Sequence, residues 1–150
     1  MAQSLAKMIL HIVFSTKDRL PFVHPDIEQD LYSYICGISN NLQCPVFKIG
    51  GMPDHLHLCC LLSRTITVRD LMEKIKANSS AWIKTKGVQY RKFAWQHGYG
   101  AFSIGQSQLL TLERYIDNQK EHHRKKGYQE ELRGLLRKYQ IDYDENYLWD

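Results

Sequence analysis

A chain of 150 residues, 43% hydrophobic and 24% charged, is long enough to bury one core and too short for two comfortable domains. No stretch approaches the about eighteen apolar residues of a membrane span, and the apolar run Met8 to Phe14 is broken by His11, unlike a secretory signal, so a cytoplasmic protein with no membrane partner is expected. The net charge of +4 is unevenly spread: residues 63–126 carry 13 Lys and Arg against 5 Asp and Glu, whereas 1–62 carry 4 against 5 and 127–150 carry 3 against 6. A basic middle suits phosphate contacts or a solvated helix face. Cys36, Cys44, Cys59 and Cys60 have no CxxC spacing, which fits reduced thiols rather than a disulfide framework.

In chain order, Lys7 to Thr16 reads as a mostly apolar strand that ends in a loop. Pro25 and Asp26 open a helix with Ile27, Leu31, Ile35 and Ile38 at helical spacing. Pro45 to Ile49 is a second strand, Gly50-Gly51 with Pro53 a tight connection, and His55 to Leu62 a third strand paired with it in a hairpin. Thr67 and Asp70 have the form of a capping box for a helix with Leu71, Met72, Ile75 and Trp82 on its apolar stripe. An aromatic, basic loop from Gly87 to Gly100 precedes a short strand at Ala101 to Ile104, and Ser107 caps a long last helix. This order predicts an α+β fold of the ferredoxin-like (RRM-like) type, an antiparallel sheet with helices on one face and a tyrosine-bearing helix towards the C-terminus. The expected organisation is one domain over 1–126 with a helical extension over 127–150.

Two short segments carry the chemistry: Asp54-His55-Leu56-His57-Leu58 and Tyr115-Ile116-Asp117-Asn118-Gln119. Alternate residues of a strand share a face, so His55 and His57 present two imidazoles side by side. On a helix, residues four apart stack, so Tyr115 and Gln119 point the same way, a hydroxyl beside an amide oxygen. Taken singly, the histidines also fit two ordinary strand residues and the tyrosine a packing residue. Read together, His55, His57 and Gln119 form a candidate site for Mg2+ or Mn2+ with Tyr115 as nucleophile, because a phenol attacks phosphorus poorly unless a cation stabilises the developing charge. Cys59 continues the same strand face, which keeps open a His55, His57, Cys59 zinc site for a hydrolase using water. His122 and His123 fit proton transfer or a solvated helix end equally well. Lys74, Lys76, Lys84, Arg91, Lys92 and Arg124 are candidate phosphate contacts, and the aromatic rings between Trp82 and Tyr99 suit stacking of unpaired bases.

With Leu10-His11-Ile12-Val13-Phe14, Trp95, Gly98-Tyr99 and the two segments in this order, nearly the whole chain resembles the single-tyrosine HUH transposases of the smallest bacterial insertion sequences. The resemblance implies that His55 and His57 are the paired metal-binding histidines, Gln119 the third ligand, and Tyr115 the nucleophile that becomes 5′-phosphotyrosine-linked as single-stranded DNA is cut and rejoined. It also implies homodimers with shared active sites, and hairpin-forming element ends as partners. A catalytically inactive hairpin-binding regulator of the same fold is the alternative of another class. The segment Gly127 to Asp150 matches the family pattern least.

Overall fold

The computed structural model describes residues 2–150. Strands β1 (Ile9–Ser15), β2 (Val46–Met52), β3 (His55–Leu61) and β4 (Gly100–Ile104) form one antiparallel sheet in the order β2-β3-β1-β4. Helices α1 (Pro25–Asn41) and α2 (Val68–Lys84) are the two crossovers. This is the ferredoxin-like arrangement expected, with the most apolar strands at the centre.

Alternation along the strands gives the sheet two different faces. Leu10, Ile12, Phe14, Leu56, Leu58 and Cys60 point to one face, where Leu31, Ile35, Leu71, Ile75 and Ile83 of α1 and α2 bury them in the main core. Both helices begin as their sequences indicate: Pro25 occupies the first turn of α1, and the Thr67 side chain accepts from the Asp70 backbone N–H at 3.0 Å. The opposite face carries Ile9, His11, Val13, Ser15, His55, His57 and Cys59. It is covered as well. Helices α3 (Leu109–Asp117) and α4 (Gln119–His122) lie across it at the β2–β3 side, and α5 (Tyr128–Lys138) across β1 and β4. The sheet is thus sandwiched, with helices on both faces rather than one.

Two further details differ from the sequence reading. The long last helix is broken: Asn118, at φ −94° and ψ 16°, separates α3 from α4, and α3 starts at Leu109 after a 3-10 turn without a side-chain cap from Ser107. Gly50 and Gly51 are strand residues, opposite His57 and Leu56, and the turn is Pro53-Asp54. The glycines answer to crowding. A Cβ on Gly50 would lie 2.9 Å from Ile116 Cγ2, and one on Gly51 2.2 Å from the His55 carbonyl oxygen. Among the described residues, no helix is long and apolar enough to cross a membrane.

Candidate metal centre

Strand β3 places His55 and His57 on the face beneath α3–α5, and both are fully buried. Gln119, the first residue of α4, is buried over them, with its Oε1 3.2 Å from His55 Nε2. Tyr115 is half-buried on α3, its ring centroid 5.6 Å from that of His57 in the same chain. The four residues singled out from the sequence therefore meet. Cys59 does not join them: it is buried against Ile9, Leu112 and Ile116, and burial holds its thiol up at about 11.

Two residues absent from the sequence-derived set occupy the centre. Glu131, from α5, turns Oε1 toward three imidazoles, 2.9 Å from His57 Nε2, 3.3 Å from His55 Nε2 and 3.1 Å from His123 Nε2. Its Oε2 accepts hydrogen bonds from the Tyr115 hydroxyl and, at 3.2 Å, from Gln119 Nε2. One nitrogen or oxygen from each of His55, His57, His123 and Glu131 lies within 4.8 Å of all the others. The signal for Glu131 was present: it lies between Tyr128, Leu132 and Leu136 on the buried stripe of an amphipathic helix, where a carboxylate needs a partner.

Behind the histidines stands a second set of partners. His55 Nδ1 donates to Asp54 Oδ1 at 2.7 Å, and His57 Nδ1 is 2.7 Å from Nε2 of the buried His11. Such contacts fix ring orientation and decide which nitrogen is bare. Asp54 and the Lys126 carbonyl can only accept, so His55 and His123 carry a proton on Nδ1, which leaves Nε2 of each as the nitrogen turned to the site. Those nitrogens face Glu131 Oε1, and His55 Nε2 also faces Gln119 Oε1. His123 Nε2 is buried and has no hydrogen-bond partner. Three imidazole nitrogens and a carboxylate converging on one point form a donor set that a divalent cation satisfies by displacing the protons otherwise held there, so the site fits a metal ion.

Without a cation, protons hold this cluster together, and a metal ion would displace them. Burial alone would lower His55, but its bonds to Asp54 and Glu131 and their charges outweigh burial and raise it to about 9. Burial would raise Glu131, yet the imidazoles of His123, His55 and His57 set against it hold it well below the ordinary carboxylate range. Tyr115 is shifted up, first by burial and then by the Glu131 charge, so in this arrangement the phenol keeps its proton.

Of the candidate phosphate contacts, Lys74 and Lys84 are exposed on α2, across the sheet from this centre, and Arg91 and Lys92 are exposed in the loop beyond it. Arg124 is exposed beside α4, 3.4 Å from Glu121. Lys76 turns inward, where Nζ donates to the carbonyls of Gln96, His97 and Gly98 at 2.9, 3.1 and 2.7 Å. Among the aromatic residues of that region, Tyr90, Phe93 and Trp95 are core, and Trp95 Nε1 donates to Ser79 Oγ at 2.9 Å.

Residues 4–119 match the family described as transposase IS200 like, and the chain belongs to that family. Among solved structures, it is similar to a candidate transposase of Deinococcus radiodurans R1, at 18% identity over 79% of this chain and 98% of that one, with a TM-score of 0.62. It is also similar to a REP-associated tyrosine transposase bound to a REP hairpin, at 14% identity over 82% of this chain and 73% of that one, again with a TM-score of 0.62. At such identities the likeness is one of fold. No curated protein matches the chain.

Proposed function

We propose that the protein cuts and rejoins single-stranded DNA at the ends of an insertion sequence, with Tyr115 as nucleophile and His55, His57 and Gln119 holding a divalent cation. The observation that carries this reading is the meeting, within one chain, of the Tyr115 phenol with the buried His55–His57 pair and Gln119. A divalent ion held there supplies Lewis-acid polarisation of a phosphodiester oxygen.

The chain's own groups do the rest. Asp54 and His11 fix the two imidazoles, and α3 aims the phenol at the same point. A cavity of about 340 Å3 opens beside Tyr115, lined among others by His11, His122, Glu131, Lys126 and Lys138, with two lysines to meet a phosphate. Attack of the phenolic oxygen on phosphorus forms one P–O bond as the bond to the 3′ oxygen breaks. The proton lost by the phenol equals the one gained by the departing 3′-hydroxyl. Because one phosphoester replaces another, the step runs backwards when a new 3′-hydroxyl attacks, which is what joining requires. Neither water nor an external energy source enters.

The partner is single-stranded DNA with hairpin-forming ends, read by a homodimer, and residues 127–150 act with 1–126 as one unit. The likeness to a transposase bound to a REP hairpin supports the hairpin substrate.

Incubation with a hairpin-bearing single strand and Mn2+ should leave a denaturant-stable protein–DNA adduct. Tyr115→Phe should abolish it, and His55→Ala should abolish cleavage while sparing most binding, since phosphate contacts elsewhere supply affinity. An adduct that survives in Tyr115→Phe would overturn the reading.

A further inference from the structure

We propose that the cation site is completed by His123 and Glu131, so that the metal ion fastens the C-terminal segment over the histidine pair. This deepens the reading above and rests on it for His55 and His57. Both added ligands lie outside the family-matched residues 4–119.

Three observations lead here. His123 Nε2 is buried without a hydrogen-bond partner, 3.1 Å from Glu131 Oε1, with its side chain 4% exposed. Its Nδ1 is held by the Lys126 carbonyl, which points the bare nitrogen at the site. Glu131 comes from the helix whose Tyr128, Leu132 and Leu136 pack on Val13 and Phe102, so its carboxylate is delivered by a packed element rather than a free side chain. The Tyr128 hydroxyl anchors the same helix by donating to Gln96 Oε1 at 3.1 Å, an oxygen that also accepts from the Ser15 N–H at 2.7 Å.

The donor set decides the class of metal. Mg2+ takes oxygen ligands and retains its water, whereas imidazole nitrogens with one carboxylate suit Zn2+, Co2+ or Mn2+. Three imidazoles and Glu131 therefore select a first-row transition metal over Mg2+. Because Gln119, His123 and Glu131 all follow Asn118, metal binding and docking of α4–α5 are one equilibrium.

The test uses the full chain stripped with a chelator and titrated with Co2+, whose visible spectrum reports its ligands, and in parallel with Mg2+. His123→Gln and Glu131→Gln should each weaken Co2+ binding by about 100-fold, the upper end of what even an outer partner of a ligand is worth. Co2+ should displace Mg2+ readily. The unsubstituted protein gives an independent reading: with Zn2+ and 15N-labelled histidine, the Nε2 resonances of His55, His57 and His123 should all move to metal-bound positions, and amide exchange over residues 128–138 should slow. If His55 and His57 shift while His123 does not, and Glu131→Gln binds Co2+ as tightly as the parent, the completed site is wrong and the histidine-pair site stands. If no histidine shifts, both fall.

Discussion

His11 and His57 share a hydrogen bond of 2.7 Å across the sheet, their rings stacked at 5.0 Å with 21° between planes. In register His11 lies opposite Cys59 on the neighbouring strand, so His57 is its diagonal neighbour, within reach of a ring. Both side chains are buried, and the bond leaves Nε2 of His57 free to face Glu131. His11 is thus a positioning residue for a metal ligand.

Replacing it should therefore act on the site from a distance. His11→Leu leaves His57 Nδ1 buried without a partner, which costs about 1–3 kcal/mol. Divalent-metal affinity should fall by about 10- to 100-fold, the range seen when an outer partner of a ligand is lost. His11→Gln, which can still accept a hydrogen bond, should recover part of both. Calorimetric metal titration and urea unfolding of the three proteins test this; unchanged metal affinity in His11→Leu would mean that the contact is packing alone.

Lys76 gives a pH prediction. Burial pushes its amine down to about 8 from the ordinary 10.5, although three carbonyls and the rings of Phe14 and Tyr99 surround the ammonium. A lowered lysine pKa means that between about 8 and 10.5 the unfolded chain binds more protons than the folded one, so stability attributable to this residue rises with pH across that window. Below pH 8 the buried ammonium is at its constant cost. Lys76→Met should remove the rise, with water taking the ammonium's place at the exposed carbonyls of His97 and Gly98. The urea midpoint of the parent should rise relative to that of the variant between about pH 8 and 10.5; a difference that stays constant would mean that Lys76 titrates at its ordinary value.

What was legible in the sequence follows from where the signal is local. Period two in β3 put His55 and His57 on one face, and period 3.6 put Tyr115 and Gln119 on another; both are properties of a few adjacent residues, and the sheet and helices carry them unchanged. The break at Asn118 did not spoil the second pattern, since Gln119 resumes a helical path at once. Glu131 shows in the sequence only as a carboxylate on an apolar helix stripe, without its partners. Its role exists only because α5 crosses back over β1, and a packing direction of that kind is set by Val13 and Phe102 far away in sequence. Lys76 was misleading from sequence because a lysine on a basic helix reads as surface, and only the path of residues 96–98 beneath it shows that its three protons are taken. The glycines of β2 read as a turn because Gly-Gly before Pro resembles one; the need for Gly51 comes from the His55 backbone of the paired strand, and the need for Gly50 from Ile116 of α3, far on in the chain.

That need yields the last prediction. Gly50 lies where Ile116 of α3 rests on β2, and an added Cβ would meet Ile116 Cγ2 at 2.9 Å and the Ile116 carbonyl oxygen at 3.0 Å. Neither atom can swing away, since one belongs to a branched side chain and the other to helical backbone. In Gly50→Ala the helix itself must lift, and overpacking of this kind costs about 1–3 kcal/mol. Ile116 sits beside Tyr115 and one short break before Gln119, so the same shift moves the phenol and the amide oxygen away from His55 and His57. The expected outcome is a folded protein with a modestly lower urea midpoint and a disproportionate loss of covalent adduct, while hairpin binding is retained. Gly37→Ala is the control, because a Cβ there meets nothing within 4 Å and α1 lies on the other face. Equal adduct yield in the two variants would mean that the seat of α3 on β2 does not set the position of Tyr115.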